Sequence, residues 1–206
     1  MQANVYRSKK WFLVNYISIN NMIKSKDDLF AYLKEDRKYY VAKPTFVDWL
    51  LKSDFYYIWH FITELRWYEY RENTSKGLFR KIVMKYHKFK FYRLMHKTQL
   101  YIYPNVFGPG LYIPHKGHIL TSSEAVVGKN CIIRPGTLIA SNLGQKNQKI
   151  RKVIVGDNVE FSEGCKIICK KIGSNVSIGP NAVVSKNVPD NSIVMGNPGE
   201  IVPKLI

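Results

Sequence analysis

From Val127 onward the chain repeats with a period of six residues. The blocks are Val127-Gly-Lys-Asn-Cys-Ile, Ile133-Arg-Pro-Gly-Thr-Leu, Val155-Gly-Asp-Asn-Val-Glu, Phe161-Ser-Glu-Gly-Cys-Lys, Ile172-Gly-Ser-Asn-Val-Ser, Ile178-Gly-Pro-Asn-Ala-Val and Val184-Ser-Lys-Asn-Val-Pro. A large apolar residue opens every block. Asn or Gly holds the fourth position (Asn130, Gly136, Asn158, Gly164, Asn175, Asn181, Asn187), and a small or β-branched residue the fifth (Cys131, Thr137, Val159, Cys165, Val176, Ala182, Val188). Gly and Asn tolerate positive φ, so a constant offset predicts a sharp corner at that offset. A corner every six residues leaves short strands, each pointing one apolar side chain inward. Three such sides close a coil of about eighteen residues, and stacked coils form a parallel β-helix.

The period breaks twice. Residues 139–152 are polar and basic with no hexapeptide phase, which predicts a loop thrown out from the coil, a common carrier of function on a rigid scaffold. Between Ile167 and Ile172 the spacing is five, an irregularity near Cys169 that the pattern does not explain.

With 206 residues and 14% aromatics, the chain can bury an ordinary core and does not have a disordered composition. Its three cysteines form neither a metal-ligand spacing nor an even disulfide set. Cys131 and Cys165 fall on inward fifth positions as small apolar fillers, which points to a reducing, cytoplasmic compartment. No segment approaches the ~20 apolar residues that span a bilayer. Residues 1–21 place Arg7, Lys9 and Lys10 before Trp11-Phe-Leu-Val-Asn, like the opening of a signal peptide. The apolar run there is short and broken by Asn15, Asn20 and Asn21, so these residues are expected to be a dispensable extension.

Residues 22–100 are helical in character and residues 101–206 form the β-helix, with a boundary near 98–104. Lys26-Asp-Asp before Leu29 supplies acid to a helix start, and Leu29, Phe30, Tyr32 and Leu33 make an apolar stripe. After Pro44, the stretch Phe46 to Tyr70 is dense in aromatics and is expected to be buried on several sides. Residues 71–77 form the turn before a basic helix.

The net charge of +17 is unevenly placed: residues 1–100 hold 20 Lys or Arg against 9 acids, the remainder 12 against 6. Between Lys76 and Lys97 there are eight basic residues and no acid, and Phe79, Val83, Met84, Tyr86, Phe91 and Leu94 approximate helical spacing. Three readings stay open for residues 76–97: a docked helix with solvated lysines, peripheral contact with an anionic membrane, or nucleic-acid binding. No nucleic-acid fold or motif accompanies the charge, so nucleic acid is not expected as a partner.

Three stretches carry a family resemblance: Ile58-Trp-His-Phe-Ile-Thr-Glu-Leu-Arg-Trp-Tyr-Glu-Tyr, Gly108-Pro-Gly-Leu-Tyr-Ile-Pro-His, and Ile178-Gly-Pro-Asn-Ala-Val-Val-Ser-Lys-Asn-Val-Pro with Gly196-Asn-Pro-Gly-Glu-Ile-Val. Together they span roughly residues 24–202. The chain resembles the serine acetyltransferase branch of the hexapeptide acyltransferases, most closely the small members of bacterial polysaccharide loci. That resemblance implies an α+β fold in which an N-terminal helical domain precedes a C-terminal left-handed parallel β-helix. It also implies a homotrimer and acetyl-CoA as co-substrate in a groove between subunits. Left-handed crossovers depart from the usual rule, so the hand comes from the family alone.

His115 matches the family's catalytic base. A hydroxyl attacks a thioester only as a base removes its proton, work that imidazole chemistry suits. Backbone N–H groups of the groove are expected to stabilise the oxyanion. Transfer is expected to be direct, since no Cys or Ser shows a nucleophile motif. Ser162, Glu163 and Gly164 match one cofactor segment, and Gly179, Pro180 and Asn181 another. Lys186 and Lys204 are candidates for the CoA phosphates. Arg151 matches an arginine used near the acceptor's carboxylate.

Two departures bear on the acceptor. Pro114 stands where the family has an acid before the base, and Lys152 where it has a second histidine; His118 is a possible substitute partner. These changes favour a saccharide hydroxyl over free serine as acceptor, with serine O-acetylation for cysteine synthesis and a non-catalytic trimeric scaffold as alternatives. No metal is expected. A zinc hydratase on this fold needs several converging histidines, and only His115 and His118 lie in the β region.

Overall fold

The computed structural model describes residues 22–40, 45–141 and 152–204. Residues 1–21, Arg151, Ile206 and most of the segment 139–152 therefore lie outside the described residues. Four helices come first: α1 (Lys26–Arg37), α2 (Phe46–Leu51), α3 (Asp54–Thr74) and α4 (Leu78–Thr98). Thirteen short strands follow: β1 (Leu100–Tyr101), β2 (Ile119–Thr121), β3 (Ala125–Val127), β4 (Ile132–Ile133), β5 (Leu138–Ile139), β6 (Val153–Val155), β7 (Glu160–Phe161), β8 (Lys166–Ile167), β9 (Lys171–Ile172), β10 (Ser177–Ile178), β11 (Val183–Val184), β12 (Ser192–Met195) and β13 (Glu200–Pro203).

The strands stack into three faces. The first face is β1-β2-β5-β8-β11, the second β3-β6-β9, and the third β4-β7-β10-β12 closed by β13. Every pairing is parallel except β12 with β13. The antiparallel β13 covers the outer edge of the last coil, which would otherwise offer a free strand edge. A helical domain followed by a parallel β-helix is thus the architecture of the chain.

The corner chemistry explains the coils. Positive φ is found at Asn130, Asn158, Asn175, Asn181, Gly136 and Gly164, six of the seven fourth positions. The first-position residues Val127, Ile133, Val155, Phe161, Ile172, Ile178 and Val184 are all buried. The second–third edge is laced by an asparagine ladder: Asn158 Nδ2 donates to Asn175 Oδ1 at 3.1 Å, and Asn175 Nδ2 to Asn191 Oδ1 at 3.1 Å.

The seventh block corrects the pattern. Asn187 is absent from the left-handed residues and Asn191 takes that conformation instead. Val188 pairs with Ile172, so it is an inward second-face residue and not a corner filler. The cause is the first–second corner, which shortens as the coils stack. Thr121, Ile139, Ile167 and Val184 occupy equivalent places on the first face, and Val127, Val155, Ile172 and Val188 on the second. The step between them is six residues at Thr121–Val127, five at Ile167–Ile172 and four at Val184–Val188. A corner this tight has no room for the extra turn residue, and Asn187 Oδ1 instead accepts from Lys171 N–H at 3.0 Å. The irregular spacing near Cys169 is this shortened corner. In the coil that departs from the others, Ile139 and Val155 are separated by the 139–152 segment.

The helical domain follows local capping rules. At α1, Ser25 Oγ accepts from Asp28 N–H at 3.0 Å while Asp28 accepts from Ser25 N–H at 2.9 Å, a capping box. The aromatic stretch from Phe46 does not form one buried helix. Thr45 and Asp48 make a second capping box, Lys52 turns left-handed, and Ser53 caps α3 by accepting from Tyr56 N–H. As a result α2 is short, and Phe46, Val47, Trp49, Leu50 and Leu51 are exposed. Helix α3 also runs on through Arg71–Thr74, leaving only residues 75–77 as the turn.

The residues chosen for helical spacing on α4 split between two sides. Phe91 is buried and Val83, Met84 and Leu94 are half-buried, whereas Phe79 and Tyr86 are exposed. Helices α3 and α4 are joined through Phe61, Tyr68 and Phe91 and through Glu64, which meets His87 at 2.5 Å and Lys90 at 2.8 Å. One continuous apolar core runs from Ile58, Phe61 and Phe91 through Leu100 and Phe107 into the β-helix.

Candidate active site

The segment from Asn105 to Ile113 is tied to the helical domain at six backbone positions. Arg66 on α3 donates to the carbonyls of Phe107 (2.9 Å) and Gly108 (2.8 Å). Asp36 Oδ1 on α1 accepts the N–H groups of Gly110 and Leu111, each at 2.8 Å. Glu69 accepts from Asn105 N–H at 2.7 Å. Tyr40 Oη donates to Ile113 C=O at 3.1 Å and accepts from Ile113 N–H at 3.2 Å. Asp36, Arg66 and Glu69 are wholly or almost wholly buried and satisfy one another through Arg66 Nε–Asp36 (2.8 Å) and Arg66 Nη1–Glu69 (3.0 Å). Burial pushes the Glu69 carboxyl above its ordinary range, against the pull of Arg66 and the Asn105 N–H. Two residues beyond Ile113 comes His115.

His115 is exposed at the first corner of the third–first edge, and its ring has no hydrogen-bond, ion-pair or aromatic partner among the described residues. Next to it, Lys116 pairs with Asp54 at the start of α3 (2.9 Å) and lies over the Tyr57 ring. His118 is also exposed, with its ring 6.0 Å from that of Tyr101, and shows no contact with His115.

The predicted cofactor residues occupy the same edge. Gly136 N–H donates to His118 C=O (2.6 Å), Gly164 N–H to Pro135 C=O (2.9 Å) and Asn181 N–H to Glu163 C=O (2.9 Å). His115–His118, Pro135–Gly136, Ser162–Gly164 and Gly179–Asn181 therefore form successive rungs of one column. The rungs are close: a Cβ on Gly136 would lie 2.9 Å from the Gly164 backbone.

That closeness alters the expected role of the backbone. Ser162, Gly164, Gly179 and Asn181 already donate their N–H groups to neighbouring coils, and Pro180 has none. Of these six residues only Glu163 keeps an uncommitted N–H among the described residues. The carbonyls of Gly164, Pro180 and Asn181, in contrast, accept no hydrogen bond among the described residues. The coil stacking that builds the edge uses up most of the N–H donors of these six residues and leaves carbonyl acceptors.

Lys152 and Lys186 sit elsewhere, at the first–second edge. Lys204 lies outside the third face, with Nζ donating to Ser177 Oγ at 3.0 Å. Arg151 lies outside the described residues. Within one chain the site is thus split across two edges. Two cations missed in the sequence do flank the column: Arg134 pairs with Glu160 (2.6 Å) and Glu163 (3.5 Å), and Lys166 Nζ donates to Gly136 C=O (2.6 Å). Arg134 is the second and Lys166 the sixth residue of its hexapeptide block, each next to an inward apolar residue and so outward itself.

No family model matches the chain. Serine acetyltransferases of Staphylococcus aureus and Staphylococcus epidermidis are 36% identical to it over 107 residues, 51% of this chain and 49% of theirs. The chain spans about half the length of these curated relatives. Among solved structures, the serine acetyltransferase of Neisseria gonorrhoeae in complex with serine superposes with a TM-score of 0.57 at 24% identity, covering 86% of this chain and 68% of that one. The soybean apoenzyme gives 0.62 at 19%, covering 85% and 69%. The Brucella abortus enzyme in complex with coenzyme A gives 0.58 at 21%, covering 88% and 68%. The chain is therefore similar to serine acetyltransferases in sequence over half its length, and shares their fold over most of it.

Proposed function

We propose that the protein is an acetyl-CoA-dependent O-acetyltransferase with His115 as general base. The observation that carries this is the column of His115, Ser162–Gly164 and Gly179–Asn181 along one edge, in a chain similar to serine acetyltransferases. His115 takes the proton from the acceptor hydroxyl as its oxygen bonds to the thioester carbonyl carbon. The C–S bond breaks, and CoA leaves with the proton that His115 returns. The carbonyls of Gly164, Pro180 and Asn181 accept from the amides of the pantetheine arm, and Arg134 and Lys166 draw the phosphates of the CoA nucleotide toward the edge.

The complete site is a property of a homotrimer. Tyr101, Leu120, Leu138 and Val183 point outward from the first face and are only half-buried in the single chain. Closing this face against a neighbour in a three-fold ring sets the first–second edge of one subunit, with Lys152 and Lys186, beside the His115 edge of the next.

L-serine is the acceptor that the relatives support, as each is named for that reaction. A saccharide hydroxyl is the second reading, favoured by Pro114 before the base and by Lys152 in place of a histidine. Incubation with acetyl-CoA and either L-serine or a sugar panel, followed by thiol release and product mass, decides between them. Thiol release with serine alone excludes the saccharide; release with a sugar alone excludes serine. No release with any acceptor, or full release by His115→Ala, overturns the proposal.

A further inference from the structure

Helix α4 has two unlike sides. One is docked, with Phe91, Met95 and Thr98 buried. The opposite side carries Leu78, Phe79, Ile82, Tyr86 and Phe89, which are 80%, 78%, 58%, 59% and 66% exposed. At 3.6 residues per turn, Leu78, Ile82 and Phe89 fall in one line and Phe79 and Tyr86 in the line beside it. Five large apolar side chains over three turns of one outward face are more than a scatter of single surface residues.

The charge around this face is of one sign. Of the cations between Lys76 and Lys97, Lys90 is engaged by Glu64 on the docked side. Lys76, Arg80, Lys81, Lys85 and Arg93 have no acidic partner among the described residues. Lys81 and Lys85 flank the apolar lines directly. Among the described residues no helix is long and apolar enough to cross a membrane, so any contact of α4 with lipid lies along the surface. An aromatic stripe bordered by uncompensated cations matches an interfacial helix on an anionic bilayer: rings enter the acyl boundary while lysines meet the headgroups.

We infer that the outer face of α4 docks the protein on anionic lipid surfaces. The side chains of Phe79, Ile82, Tyr86 and Phe89 supply insertion, and Lys81 and Lys85 supply attraction. This surface is remote in the chain from the His115 column and does not depend on the proposed chemistry.

Cosedimentation of the full chain with vesicles of phosphatidylcholine alone, or of equal parts phosphatidylcholine and phosphatidylglycerol, tests it. Binding is expected only to the anionic vesicles and falls as salt screens the attraction. Ile82→Ser with Phe89→Ser is expected to lower the partition coefficient at least about tenfold, and Lys81→Glu with Lys85→Glu likewise, by removing insertion and attraction in turn. All four side chains are exposed or on the exposed side, so thermal unfolding and acetyl transfer should stay unchanged. Equal binding to neutral vesicles, or none to anionic ones, overturns the inference. So does tighter binding to single-stranded RNA than to the vesicles. If the serine pair keeps vesicle binding but halves the particle mass in sedimentation equilibrium, a second copy of the chain covers this face instead.

Discussion

Arg66 of α3 grips Asp36 of α1 through two guanidinium nitrogens, at 2.8 and 3.3 Å, with both side chains at 0% exposure. Neither residue touches His115. Both hold the turn before it, Arg66 through the carbonyls of Phe107 and Gly108, Asp36 through the N–H groups of Gly110 and Leu111. The helical domain thereby sets where the first coil starts and where its exposed imidazole stands.

Removing Asp36 leaves buried Arg66 with Glu69 as its one carboxylate partner among the described residues and leaves the Gly110 and Leu111 N–H groups without their acceptor. Asp36→Ala is expected to lower stability by about 3–5 kcal/mol, read from urea unfolding. Asp36→Ala with Arg66→Met should cost at least as much as Asp36→Ala alone, since buried Glu69 then loses the guanidinium that offsets its desolvation.

His115→Ala should leave the circular dichroism melt within error of the parent, because the ring is exposed and unpartnered among the described residues. Acetyl transfer should fall by about 10²–10⁴-fold if the ring is the base. Measured kcat values for parent and variant check this directly.

The three cysteines should be chemically silent in the native protein. Burial pushes the Cys131 thiol up to about 12 and those of Cys165 and Cys169 up to about 11. The reactive species is the thiolate, so iodoacetamide at pH 8 should label the native chain slowly and the urea-unfolded chain at all three sites. The sign for stability follows. Thiols raised on folding give their full contribution below the unfolded value, and that contribution is lost as pH rises through 11 to 12.

Gly136→Ala should destabilise the β-helix by more than about 1 kcal/mol, because φ is +80° and the new methyl meets the Gly164 backbone. Gly77→Ala, also at positive φ but with open space around it, should cost less. Paired thermal melts separate strain from crowding.

Much of the β-helix was legible from a local rule repeated in sequence. One residue type tolerates the left-handed corner, and one apolar residue per side fills the interior. That rule located the buried positions from Val127 to Val184 and put Ser162–Gly164 and Gly179–Asn181 on equivalent corners. It failed at Asn187 and Val188, since corner length depends on how tightly one coil stacks on the next. The exposure of α2 was illegible too, because aromatic density does not say whether capping residues such as Thr45 and Ser53 will interrupt a helix.

The hexapeptide phase alone settled coil, corner and inward side chain, because each depends on a single residue's φ and volume. Long-range contacts decided the rest. Asp36, Arg66 and Glu69 are far apart in sequence from the turn they hold, and a charged residue shows burial only when its partners do. The same holds for α4: spacing suggested one apolar stripe, and only docking against α3 showed which residues face the core and which face outward. The division of candidate site residues between two edges has the same origin, for an edge exists only once the coil has closed.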